Sequence, residues 1–214
     1  MYNRYFKNGF DFLIGLIGLI IISPLFILIA AILFLTTKEN PFFIQRRPGK
    51  SGRVIKVIKF KTMNDKRSGD GSLLSDNLRL TNVGRFLRKT SLDEIPQLIN
   101  VIKGDMSIVG PRPLALQYYP FYTVNEHRRH TVKPGITGLA QINGRNGLDW
   151  EAKFNYDIEY VDKMSFLLDI KIMYKTLSKV LSRENIGVIG IDAPEDFDKY
   201  RTRQNSIKKQ KDNT

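Results

Sequence analysis

FLIGLIGLIIISPLFILIAAILFL, residues 12–35, decides the architecture, because its 24 positions carry no charged side chain. A run of that length and composition belongs in hydrocarbon rather than in a soluble core. As a helix it measures about 36 Å against a bilayer core of about 30 Å, so length alone permits a crossing. Two features argue against one. Ser23-Pro24 falls at mid-run, where proline removes a backbone hydrogen bond and crowds the preceding turn, so a break is expected there. Bases also flank both ends: Arg4 and Lys7 before the run, then Arg46, Arg47, Lys50, Arg53, Lys56, Lys59 and Lys61 after it, with no acid between positions 40 and 64. Cationic flanks stay cytoplasmic, which puts both ends on one side. The expectation is a re-entrant membrane helix over residues 1–37, with a single-span anchor that tolerates its proline as the alternative. A cleaved signal fits less well, since the run exceeds a normal h-region and no small-residue cleavage site follows.

The rest of the chain is far more polar. Lys and Arg number 34 against 21 Asp and Glu, a formal charge of +13 that calls for an anionic partner: nucleic acid, phospholipid or a phosphorylated metabolite. Cysteine is absent, which excludes disulfides, thiolate nucleophiles and Cys-ligated metals, and only two histidines are present. Residues 38–185 read as one compact cytoplasmic domain. Within it, residues 41–61, PFFIQRRPGKSGRVIKVIKFK, read as a β-hairpin, two β-rich runs around a Pro-Gly-Lys-Ser-Gly turn. Gly49-Lys50-Ser51 is not a phosphate loop, because position 44 holds Ile44 where that motif needs glycine.

Residues 65–80 read as a loop, and helical patterns follow near 82–89, 93–103, 149–163 and 166–183. The fold class is therefore α+β and mostly helical. In the last helix Lys171, Lys175, Lys179 and Arg183 recur every four residues beside an apolar band of Phe166, Ile170, Met173, Leu177, Val180 and Leu181. That is the pattern of an amphipathic helix lying at an anionic membrane surface. Residues 186–214 form a polar to basic tail, whose last 16 positions carry six bases and one acid and are expected to be mobile.

Chemistry concentrates in TSLDEIPQL, residues 90–98. Ser91 and Glu94 resemble a capping box, but that register would bury Pro96 inside the helix, so a start near Asp93 fits better. Asp93 and Glu94 then sit at the positive end of a helix, where carboxylate pKa values tend downward. Arg85, Arg88 and Lys89 lie just upstream, a setting that brings carboxylate, divalent cation and phosphate together. In GDMSIVGPRP, residues 104–113, prolines on both sides stiffen the loop that presents Arg112, which suits bidentate phosphate binding. KPGITGLAQINGRN, residues 133–146, offers glycines for close approach and Arg145 for a nucleotide or sugar. His127 and His130 lack metal-site companions and read as surface residues. Asp149, Asp157 and Asp169 read as helix-start or ion-pair acids.

Taken with KFKTM at 59–63, SLDEIPQL, GDMSIVGPRP and KPGITGLAQINGRN, the chain resembles the small monotopic phosphoglycosyl transferases of the bacterial sugar transferase family, up to about residue 183. The resemblance implies transfer of a phosphosugar from a UDP-sugar to undecaprenyl phosphate, with release of UMP, at the cytoplasmic face of the bacterial inner membrane. It implies Asp93 as nucleophile and Glu94 as the acid that helps hold Mg²⁺. It implies Lys59, Arg88, Arg112 and Arg145 as substrate-binding residues, and it favours the re-entrant helix. The expected partners are the two substrates and membrane lipids, with no nucleic acid and with room for a homodimer. The competing class is a membrane-tethered basic protein that binds acidic lipid or nucleic acid without catalysis.

Overall fold

The computed structural model describes residue 2 and residues 6–144, 147–182 and 195–212. Helix α1, Lys7–Thr37, contains the apolar run and continues through Pro24 without interruption, contrary to the expected break. The cause is local. Pro24 has no N–H for the carbonyl of Ile20, and the Ser23 hydroxyl donates to that carbonyl at 2.8 Å instead. Such repair lets proline persist in a helix exposed to lipid.

One stripe of α1 is buried at both its start and its end and half-buried between them. At its start Lys7 Nζ lies 2.6 Å from Asp169, and Asp11 accepts from the Ser107 hydroxyl at 2.7 Å and the Ile108 N–H at 3.1 Å. In the middle, bare Gly15 and Gly18 let Val101, Ile102 and Leu98 close in. Toward its end Ile29 and Leu33 share a core with Phe60, Leu87 and Ile95. The opposite face, including Ile17, Ile20, Ile21, Leu28 and Leu35, is exposed.

The hairpin forms as the sequence indicates. Strands β1, Phe42–Pro48, and β2, Val54–Phe60, are antiparallel and pair from Phe42↔Phe60 to Pro48↔Val54. The outer edge of β2 is closed by Asn100, whose amide donates to the Lys56 carbonyl at 2.7 Å and accepts from the Ile58 N–H at 3.0 Å. The loop that follows holds a short helix, α2, Asp76–Arg79, and leads to α3, Asn82–Lys89, capped by Thr81. A 3₁₀ turn, Leu92–Glu94, precedes α4, Gln97–Ile102. The helix thus begins four residues later than expected, because Pro96 serves as its N-cap residue.

The two turn-rich stretches pair with each other, which their sequences do not disclose. β3, Ser107–Val109, and β4, Gly135–Thr137, form a short parallel ladder, Ser107↔Gly135 and Val109↔Thr137. Between them lies α5, Val124–His127, and after them α6, Leu139–Asn143, α7, Trp150–Lys163, and α8, Phe166–Ser182. Ile55, Val57, Val101, Met106, Val109, Tyr160 and Ile172 make the central core between hairpin, ladder and helices. On α8, Asp169 and Ile172 point inward while Phe166, Leu167, Ile170, Tyr174 and Leu177 are exposed beside Lys171 and Lys175. Its outer face is therefore both apolar and basic.

The tail departs from expectation. Residues 197–212 form helix α9, Phe197–Asp212, rather than a mobile segment. Phe197 is fully buried among Tyr118, Tyr122, Trp150 and Phe154, and Arg201 pairs with Glu126. Burial of one aromatic and complementary acids on other segments anchor a stretch whose own composition reads as unstructured. His130 is likewise buried rather than on the surface, packed between Tyr119 and Tyr122. Burial and the neighbouring Arg129 push its pKa down to about 3, so it is neutral.

Candidate active site

The turn that carries the acidic pair is set by three contacts below it. Ser91 adopts a left-handed backbone (φ 57°), which reverses the chain after α3 and brings Leu92–Glu94 across the end of β2. Ile95, just beyond, is buried against Ile29 and Leu33 of α1 and fixes the turn's underside. Gly84 on α3 touches the Thr62 carbonyl so closely that any Cβ there would collide with it. This contact lets Arg88 Nε reach the Thr62 hydroxyl at 2.9 Å.

The adjacent carboxylates have opposite environments. Glu94 Oε1 accepts from Lys59 at 2.8 Å and from Arg112 at 2.6 Å, and Oε2 lies 3.4 Å from the other Arg112 terminal nitrogen. Burial alone would raise its pKa, but the charges and hydrogen bonds of Arg112 and Lys59 outweigh it and hold the carboxyl well below the usual carboxylate range. The carboxylate of Asp93 accepts no hydrogen bond from any protein donor among the described residues, and the residue is buried at 9% exposure. Burial first, and Glu94 second, push its pKa up, against the pull of Lys59, Arg112 and Arg88. The downward tendency expected at a helix start therefore holds for Glu94 and fails for Asp93.

Arg112 is delivered by a braced loop. The Gly110 N–H donates to the Thr137 carbonyl at 2.8 Å and the Gly135 N–H to the Pro111 carbonyl at 3.0 Å. A Cβ at Gly110 or Gly135 would strike the facing backbone, so the ladder that positions this loop exists only because both residues lack side chains. Behind the loop lie Arg129 and Asp157, both buried, with an Arg129 terminal nitrogen donating to the Arg112 carbonyl at 2.6 Å. Asp157 is an ion-pair acid, one of the two roles read for it from the sequence, but its partner Arg129 was missed, because EHRRH drew attention to its histidines.

The acidic pair, Lys59, Arg88, Arg112 and the Arg129–Asp157 pair border one cavity of about 1460 Å³. Eleven of its lining side chains are Lys or Arg against five Asp or Glu, which marks it for an anionic ligand. Its size exceeds the roughly 300–1,000 Å³ that houses one small ligand, leaving room for a bulky or composite substrate. Lys59, Arg88, Asp93, Glu94 and Arg112 all face it, as do Arg79, Arg85, Lys153 and Lys179. Arg145 lies outside the described residues.

Among the described residues no three His, Asp or Glu side chains cluster to form a complete metal cage. Mg²⁺ does not require one, since it is commonly held by one or two carboxylates together with substrate phosphates. Asp93, without a protein donor, and the weakly engaged Oε2 of Glu94 fit that partial donor set.

A family model described as bacterial sugar transferase matches residues 2–183. The chain is 50% identical over 180 residues to the uncharacterized sugar transferase EpsL of Bacillus subtilis (strain 168), covering 84% of this chain and 89% of that protein. It is 39% identical over 197 residues to the exopolysaccharide production protein ExoY of Sinorhizobium fredii, covering 83% and 86%. It is 42% identical over 187 residues to the UDP-glucose:undecaprenyl-phosphate glucose-1-phosphate transferase of Klebsiella pneumoniae, covering 83% of this chain but 40% of that longer protein. With the match extending over most of its length, this chain belongs to the bacterial sugar transferase family.

Proposed function

We propose that the protein transfers a phosphosugar from a UDP-sugar to undecaprenyl phosphate through a covalent intermediate on Asp93, releasing UMP. The observation that carries this reading is the division of labour between neighbouring acids. Glu94 is neutralised by Lys59 and Arg112, while Asp93 faces the cation-lined cavity with no donor to satisfy it among the described residues. A carboxylate in that condition is a nucleophile that needs no base. The Klebsiella relative, a UDP-glucose:undecaprenyl-phosphate glucose-1-phosphate transferase, supports the substrate classes.

The first step joins a carboxylate oxygen of Asp93 to the phosphorus that bears the sugar. The bond from that phosphorus to the bridging oxygen breaks, and UMP leaves with the oxygen and its electron pair. In the second step a phosphate oxygen of undecaprenyl phosphate attacks the same phosphorus and the acyl phosphate bond breaks. This restores Asp93 and yields the lipid diphosphate sugar. One phosphoanhydride is consumed and one made, so no ATP enters. Arg112 and Arg88 hold phosphate oxygens and offset the charge that develops on them. Asp93 and Glu94 would hold Mg²⁺ jointly with the substrate phosphates, and the ion supplies further neutralisation of the diphosphate.

Helix α1 fits the same reading. Both its ends and its middle rest on the catalytic body, so an α1 that crossed the bilayer would drag that body through hydrocarbon. We infer that both ends stay on the cytoplasmic side, with the outer faces of α1 and α8 in contact with lipid. This holds Asp93 near the depth at which a lipid-borne phosphate emerges.

Membranes carrying the protein, supplied with UDP-glucose or UDP-galactose and undecaprenyl phosphate, should release UMP, and mass spectrometry with donor alone should find a phosphosugar on Asp93. Asp93→Asn should abolish both signals. A variant that still releases UMP would exclude the covalent route, whereas a wild-type protein that releases none from any donor would return the chain to the basic-tether class.

A further inference from the structure

Arg129 and Asp157 form an ion pair at 2.8 Å in which both residues are only 3% exposed. Arg129 uses two nitrogens on one carboxylate oxygen, Nε at 3.0 Å and a terminal nitrogen at 2.8 Å. Its guanidinium lies 5.7 Å from the ring centroids of both Tyr122 and Phe154, which pack edge to face 5.5 Å apart. The same terminal nitrogen donates to the Arg112 carbonyl at 2.6 Å. These contacts leave Arg129 no rotamer freedom, and they come from three separate segments.

A buried ion pair is poor evidence of stabilisation, because apolar residues of similar volume often serve as well or better. What an apolar pair cannot do is donate a hydrogen bond to a chosen carbonyl. Arg112 itself is anchored to Glu94 at its tip and half-exposed along its side chain, so its aim depends on where its backbone is held. The ladder fixes Gly110 and Pro111 on one side of it, and Arg129 is the side chain that fixes the Arg112 carbonyl.

We infer that Arg129 and Asp157 are positioning residues for the transferase: Asp157 orients Arg129, and Arg129 holds the backbone of Arg112 so that its guanidinium bridges Glu94 and the transferred phosphoryl group. This rests on the proposed function, in which Arg112 bears on phosphate. Asp157 and Arg129 themselves line the wall of the cavity, and from them the chain of contacts runs through the Arg112 carbonyl to the Arg112 guanidinium and Glu94. It gives α7 a role in the chemistry although it contributes neither of the acids in the pair.

The test replaces the pair by apolar residues, Arg129→Met with Asp157→Leu, and follows UMP release from UDP-glucose and UDP-galactose with undecaprenyl phosphate in nanodiscs. A structural pair would leave turnover intact. A positioning pair should lose about 100-fold in kcat and in kcat/KM together, with the unfolding midpoint unchanged or raised. In an Arg112→Gln background the same double replacement should cost less than about threefold more, because there is no guanidinium left to aim. An active wild-type protein beside an equally active double variant overturns this inference alone, as does full additivity with Arg112→Gln. A wild-type protein that releases no UMP from either donor overturns the functional reading and this inference with it. If the double variant fails to fold, Arg129→Lys and Asp157→Asn carry the same comparison, and normal turnover in both overturns the inference.

Discussion

Neutralising each acid of the pair in turn should move stability in opposite directions. Glu94→Gln removes a charge that Lys59 and Arg112 contact at 2.8 and 2.6 Å. The amide retains an acceptor oxygen, so each contact falls from a charged hydrogen bond to an ordinary one, a loss of about 1 kcal/mol or slightly more per cation. The Arg112 side chain is 44% exposed, and water recovers part of its share. The net loss is about 2 kcal/mol, or about 4–8 °C in the midpoint of a chain this size. Asp93→Asn removes a buried carboxylate that accepts no hydrogen bond among the described residues and repels Glu94. It should gain about 1 kcal/mol while abolishing turnover.

The pH dependence gives a further check on sign. Asp93 has a raised folded pKa, so its ionisation costs stability above the unfolded value of about 4, and the advantage of Asn should vanish on acidification below it. Glu94 has a depressed folded pKa, so its contribution is present above about 4 and fades as pH falls further, shrinking the Gln penalty. Thermal unfolding of the three proteins in one detergent between about pH 2 and 8 measures all of this. Loss of stability in both variants at neutral pH would refute the division of roles between the two acids.

Turnover should decline on the acid side with a midpoint above the ordinary aspartate value of about 4, read from kcat/KM against pH, because the attacking carboxylate must be ionised and burial holds its pKa up. Gly84→Ala should destabilise by about 2–3 kcal/mol and reduce turnover, since the new methyl pushes α3 off the Thr62 carbonyl and withdraws Arg88; unfolding and UMP assays read both. Ser23→Ala should weaken α1 by about 0.5–1 kcal/mol, and adding Pro24→Ala should restore it by returning an N–H to the Ile20 carbonyl, measured by unfolding in bilayers. Phe197→Ala should cost about 3–4 kcal/mol and expose α9 to limited proteolysis.

What the sequence disclosed and what it withheld follow from the range of the forces involved. The hairpin was legible because β-rich runs and a turn are local, and α3 because Thr81 and its amphipathic period lie within ten residues. The acid pair stood out through its proline and neighbouring bases. The parallel ladder was not legible, since Ser107 and Gly135 are separated by 27 intervening residues and three-residue strands leave no periodic signature. The unequal pKa values of Asp93 and Glu94 depend on Lys59 and Arg112, which arrive from other segments. Arg129 looked like one base among many until burial singled it out.

The inner stripe of α1 bears on how a water-soluble form is made. Deleting the helix would strip Phe60, Leu87 and Ile95 of their cover, and Ile95 stands two positions from Asp93. Truncation is therefore the wrong cut. Repainting only the outward positions, such as Ile17, Ile21, Leu28 and Leu35, with glutamate and lysine leaves the inner seam intact and should give a protein that stays folded without detergent.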